Sequence, residues 1–109
     1  MNLTVNFQKQ GEVIIIVLKG RFIGTESDNF QKQVEKFMKS GNKIVVNLGE
    51  LNYIGSQGVS CLVGLTTRYN VKLANLSAQV KNTMEVLKLS EIFEIFNTVD
   101  EAIKSFEIT

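Results

Sequence analysis

The run "VIIIVL", Val13 to Leu18, constrains this chain more than any other segment. It is β-branched, continuous and apolar on both of the faces a strand would present. A strand with no polar face must lie inside a sheet that is covered on both sides. Short apolar segments of the same kind follow at "KIVVNL", residues 43 to 48, and "VKLANL", residues 71 to 76. Between them lie stretches with helical periodicity. Strands alternating with amphipathic helices predict an α/β domain with a largely parallel or mixed sheet.

The helices can be placed by their stripes and caps. Thr25 and Asp28 form a capping-box-like pair, and Phe30, Val34, Phe37 and Met38 behind it follow one helix face, with Gly41 at the expected C-terminal cap. A second helix is expected from Ser56 to Arg68, its stripe being Cys61, Leu62, Leu65 and Tyr69, widened by Val59 and Val63. Ser77 caps a third, with Val80, Met84 and Leu87 inward. Thr98 and Glu101 make a capping box for the last, which carries Val99, Ala102, Ile103 and Phe106. Leu3, Val5 and Phe7 alternate as in a half-buried strand, joined to the central run by the turn "KQG". "IFEIF" reads as a short terminal strand or extended segment.

At 109 residues, without proline and without a Gly/Ser-rich tract, the chain is expected to form one domain over residues 1–109. Charge excludes one class of function. Twelve basic and 11 acidic residues give a net charge of +1 with no basic run, so nucleic-acid binding has no electrostatic footprint. The longest apolar run is too short to span a bilayer, and no direct membrane insertion is expected. One cysteine, Cys61, suits a reducing compartment, and a cytoplasmic location follows as the expectation. There is no histidine, and no thiolate or carboxylate cluster announces a metal site. No cofactor, no metal and no catalytic activity are expected.

The functional candidates lie in loops that leave the C-terminal ends of strands, where α/β sheets tend to carry function. One is "GRFIGT", residues 20 to 25; the other is the turn within "YIGSQGVSCLVGL", residues 53 to 65. Gly55 and Gly58 are read as serving backbone geometry. Ser56 is read as an N-cap whose oxygen satisfies a backbone amide, the alternative being a phospho-acceptor. Cys61 is read as a buried core residue. Of Phe22 and Ile23, at least one is expected to be exposed for recognition.

These segments, together with the tail "LKLSEIFEIFNTVDEAI", resemble the STAS domain of bacterial anti-sigma-factor antagonists along essentially the whole chain. The resemblance implies a mixed sheet of about four to five strands packed against about four helices, the layered arrangement already indicated by the pattern. It also implies a switch. In typical members the turn reads Asp-Ser-Ser/Thr-Gly, and its second hydroxyl residue is phosphorylated by a partner anti-sigma kinase; the unphosphorylated form binds that kinase.

This sequence departs from the motif at four positions. Gly55 stands in place of the aspartate and Gln57 in place of the phospho-acceptor, while Ser56 and Gly58 match. Asn47 replaces an aspartate that usually ends the preceding strand, and Ile23 an acidic residue near the first loop. The implied function is a non-catalytic regulatory module that binds an anti-sigma factor/serine kinase-type protein. The partner-facing set would be Phe22, Ile23, Gly24, Gly55, Ser56, Gln57 and Gly58. The alternative is an accessory or regulatory domain of an anion or lipid transport system, with a transporter subunit as partner, or a small-ligand binder.

Overall fold

A computed structural model describes residues 3–38 and 42–107 of the 109-residue chain. Strand β1 (Leu3–Gln10) turns into β2 (Val13–Phe22), followed by α1 (Gly24–Phe37), β3 (Lys43–Ile54), α2 (Ser56–Thr66), β4 (Asn70–Ala74) and α3 (Ala78–Val86). A short 3-10 turn at Leu89–Glu91 leads to β5 (Glu94–Phe96) and α4 (Val99–Ser105). The five strands form one sheet in chain order, β1-β2-β3-β4-β5. β1 is antiparallel to β2 and every later pair is parallel, so the sheet is mixed.

The double-sided burial read from "VIIIVL" has a direct cause. Ile16 and Leu18 point into the larger core, with Ile44, Val46 and Leu73, under α1, α2 and α3. Val13 and Ile15 point the other way, with Val45 and Ala74, under Ala102 and Ile103 of α4. Three helices therefore cover one face and one covers the other. No helix among the described residues is long and apolar enough to cross a membrane.

Several boundaries differ from the sequence reading. β3 runs to Ile54 rather than stopping at Leu48, because the chain bulges against β2: the register shifts between Val17 and Lys19 and again between Gly20 and Arg21. A bulge admits extra residues and so hides the period-2 pattern. The hairpin loop is Gly11 and Glu12, with Gln10 opposite Val13, not "KQG". Of these two loop residues only Gly11 has positive φ, +62°, which is what a II′ loop asks of its first residue. α2 ends at Thr66, and of "IFEIF" only Glu94–Phe96 is strand.

Two stripe assignments also fail. Phe37 and Leu87 were placed inward, yet they are 60% and 53% exposed. Phe37 is the last residue of α1 and stands against Phe7 of the edge strand, and Leu87 is the C-cap just past α3, beside the exposed Val86. The expected cap at Gly41 lies outside the described residues.

Candidate functional site

Both candidate loops lie at the C-terminal ends of parallel strands, as the topology requires. Phe22 and Ile54, the last residues of β2 and β3, are paired, and the next amide, Gly55 N–H, donates to Phe22 O at 2.9 Å. One residue, Ile23, then separates β2 from α1, and one, Gly55, separates β3 from α2. Such short connections place the first turns of α1 and α2 side by side.

The expected capping chemistry is absent at both. α1 starts at Gly24 with Ile23 as N-cap, so the Thr25–Asp28 pair lies inside the helix and is not its cap. α2 starts at Ser56 with Gly55 as N-cap, and no side chain caps it. The reading of Ser56 as the cap is therefore corrected: it is the first helical residue, and it is exposed. Gln57 is exposed beside it. Its side chain lies across the start of α1, where a Cβ on Gly24 would run into Gln57 Oε1.

The two glycines of the turn differ in kind. A Cβ on Gly58 would lie 2.7 Å from Phe22 O and 3.0 Å from both Ile54 Cγ1 and Phe22 Cγ, so close approach of helix to strand demands glycine there. A Cβ on Gly55 would meet nothing nearer than Tyr53 Cε2 at 3.6 Å, and its φ is −95°. Sterics do not require glycine at Gly55.

The seven residues that the resemblance implies for partner binding divide accordingly, and of Phe22 and Ile23 neither is fully exposed. Ile23, Gly24, Gly55, Ser56 and Gln57 come together on the surface; Ile23 is half-buried, its Cγ2 3.8 Å from the position of a Gly55 Cβ. Phe22 is fully buried, its ring 5.1 Å from that of Phe30, and Gly58 is buried on top of it. These two support the turn from below. Asn47 lies well before the end of β3, where its Oδ1 accepts from Gly49 N–H at 3.0 Å and Asn75 Nδ2 at 3.2 Å. It braces the β3 bulge against the end of β4.

Two grooves flank the turn. One, of about 320 Å³, runs between α1 and α2 and is lined by Gly24, Ser27, Asp28, Gln57, Ser60 and Cys61 among others. The other, of about 280 Å³, lies between α2 and α3, with Tyr53, Gly55, Ser56, Gln79, Val86 and Leu87 on its walls. The first is polar; the second is rimmed by exposed apolar side chains, Tyr53 at 41%, Val86 at 70% and Leu87 at 53%. The sequence reading missed Tyr53. It lies just past the register shift that leaves Asn52 without a partner on β2, so Asn52 and Tyr53 are both exposed, and the Arg21 guanidinium sits 5.3 Å from the Tyr53 ring centroid.

Cys61 is half-buried in the polar groove and not fully within the core, its Sγ 3.8 Å from Ser27 O. Burial, with Asp28 adding to it, pushes the thiol up to about 11. It stays protonated at neutral pH and is not an activated nucleophile. No group of three His, Cys, Asp or Glu among the described residues is placed to hold a metal. What the arrangement offers is an amphipathic surface built around two helix starts.

A model of the STAS domain family matches residues 4–102. An anti-sigma factor antagonist from Mycobacterium paratuberculosis superposes with a TM-score of 0.86 at 13% identity, covering 95% of this chain and 93% of that one. The anti-sigma factor antagonist SpoIIAA in its unphosphorylated form gives 0.76 at 18% identity, covering 95% and 96%. The murine anion transporter Solute Carrier 26 family member A9 gives 0.76 at 18%, covering 94% of this chain but only 19% of the transporter. At these identities the likeness is one of fold.

Proposed function

Since the chain belongs to the STAS domain family, we propose that it is a non-catalytic, cytoplasmic regulatory module that binds an anti-sigma factor of the serine-kinase kind through the start of α2. The observation that carries this reading is Gln57. It occupies the acceptor position of the motif, exposed at the second residue of α2, and has no hydroxyl to phosphorylate. Phosphate adds about −1.5 to −2 charge where it is attached, and that charge is the physical means by which such a face is switched off. A neutral amide cannot be switched this way, so binding is constitutive. Ile23, Gly55 and Gln57 give the partner an uncharged centre, with Tyr53, Val86 and Leu87 as apolar flanks.

A binding titration with an anti-sigma kinase recovered by affinity capture tests the reading. Affinity is expected to be the same with and without ATP, and Gln57→Ser is expected to make it ATP-sensitive. Stoichiometric phosphate on Ser56 of the unaltered chain, with loss of binding, overturns it.

The likeness to a transporter's domain supports a second reading, in which the same surface docks on a membrane transport subunit. The uncharged, apolar-flanked turn suits that partner also. Recovery of a permease in place of an ATPase-fold kinase decides for it.

A further inference from the structure

The sheet has two unlike edges. β5 is three residues long, with Lys72 of β4 paired across it to Glu94 at 3.2 Å. β1 is eight residues long, and its register with β2 is unbroken from Leu3↔Gly20 to Gln10↔Val13. Natural sheets blunt a long edge with proline, bulges or several charges. "LTVNFQKQ" has one charge, Lys9, and neither of the other devices.

Which backbone groups face outward follows from the hairpin. A two-residue loop makes Gln10 and Val13 the hydrogen-bonded pair that closes it. Alternation then turns the amides and carbonyls of Gln10, Gln8, Asn6 and Thr4 toward β2, and those of Lys9, Phe7, Val5 and Leu3 to the open side. Leu3 bears this out: its N–H donates to Glu26 Oε1 at 3.3 Å, not to β2.

We propose that β1 pairs antiparallel with β1 of a second copy of this chain, centred on Asn6. Leu3 then faces the partner's Lys9, and Val5 the partner's Phe7. Three observations select this occupant and register. The outward groups belong to odd-numbered residues, so the two-fold axis must set odd against odd. Charge then chooses among the remaining registers. Lys9, Ile14 and the α1 helix share one face of the sheet, and centring on Asn6 lays Lys9 over the partner's Leu3, where Glu26 gives up the Leu3 amide to the Lys9 carbonyl and takes the Lys9 ammonium in its place. Neither Lys9 nor Glu26 forms an ion pair among the described residues; the dimer makes that pair twice. Centring on Phe7 would put Lys9 against Val5 instead.

The third observation is Phe37, 60% exposed with its ring 4.9 Å from that of Phe7, an aromatic standing over the open edge. A second strand beside Phe7 covers it. On the opposite face Thr4 meets Gln8 and Asn6 meets its own copy, with no like charges opposed.

Sedimentation of the intact chain from micromolar to millimolar concentration is expected to show reversible growth from 12.2 kDa to twice that mass. Lys9→Glu or Glu26→Lys alone is expected to weaken the dimer about tenfold, and the two together to restore it. Val5→Pro removes an outward donor where an edge strand tolerates proline, and abolishes the dimer. In a Cys61→Ala background, Asn6→Cys is expected to form an intermolecular disulfide under mild oxidant and Gln8→Cys to form little. Any of three results overturns the proposal: a single-chain mass at every concentration, a dimer indifferent to both charge reversals, or Gln8→Cys cross-linking as fast as Asn6→Cys. The charge pair keeps the test decisive even if Val5→Pro fails to fold.

Discussion

The four helices begin in two different ways. α3 and α4 are capped by side chains: Ser77 Oγ accepts from Val80 N–H at 3.4 Å, and Thr98 Oγ1 from Glu101 N–H at 3.1 Å. α1 and α2 begin at Ile23 and Gly55 with no side-chain cap. The difference follows position. The uncapped pair starts directly from the ends of β2 and β3, so the strands fix the entry of the chain. The capped pair follows looser connections and must define its own first turn. A helix start held by its strand can leave its first amides and exposed side chains to a partner, which is what the proposed binding role requires.

The comparison breaks most visibly at Gly58. If strand contact, not capping, positions α2, then Gly58→Ala must push helix from strand, because the obstruction at 2.7 Å is the backbone oxygen of Phe22. We expect a loss of about 2 kcal/mol in chemical denaturation, typical of overpacking against atoms that cannot rotate away. A neutral result would mean that α2 is free to shift and that the strand does not set its start.

Ser77→Ala comes next. It removes the α3 cap and also the 2.7 Å bond that Ser77 Oγ donates to Leu51 O, an anchor to β3. A loss of about 1.5 kcal/mol is expected in the same measurement. Thr98→Ala removes a cap alone, at an exposed site, and about 1 kcal/mol is expected. Were the two losses equal, the Leu51 bond would contribute nothing.

The same contrast explains what was legible in the sequence. Ser77 and Thr98 were read correctly as caps because a local cap leaves a local pattern. Thr25–Asp28 carried a similar pattern and misled, since α1 is started by the strand before it. Ser56 misled for the same reason. The element order and the doubly buried β2 were legible because burial imposes periodicity. The length of β3 was not, because a bulge breaks that periodicity without a residue-type signature. At the site, the loop ends and the motif were enough to bring Ile23, Gly24, Gly55, Ser56 and Gln57 together at the surface, whereas the burial of Phe22 depends on Phe30 and Gly58 packing from elements distant in sequence. Tyr53 was not readable from alternation, because Leu51 and Ile54 are both buried across the bulge and leave Asn52 and Tyr53 exposed between them.

The smallest expected effect sharpens the comparison most, because it asks whether the uncapped start of α2 is required. Gly55 already has extended N-cap geometry, φ −95° and ψ 179°, and a side chain there would meet nothing closer than 3.6 Å. Gly55→Asp should therefore supply the missing cap, and its charge would sit favourably at the helix start. Aspartate exceeds glycine as an N-cap by only a few tenths of a kcal/mol, so stability is expected to rise by about that much. Binding supplies the discriminating readout. If the neutral turn sets partner choice, Gly55→Asp will weaken the partner's affinity while raising the melting temperature. A gain in stability with unchanged affinity would show that the partner reads Gln57 and the apolar flanks, and that glycine at Gly55 serves neither packing nor recognition.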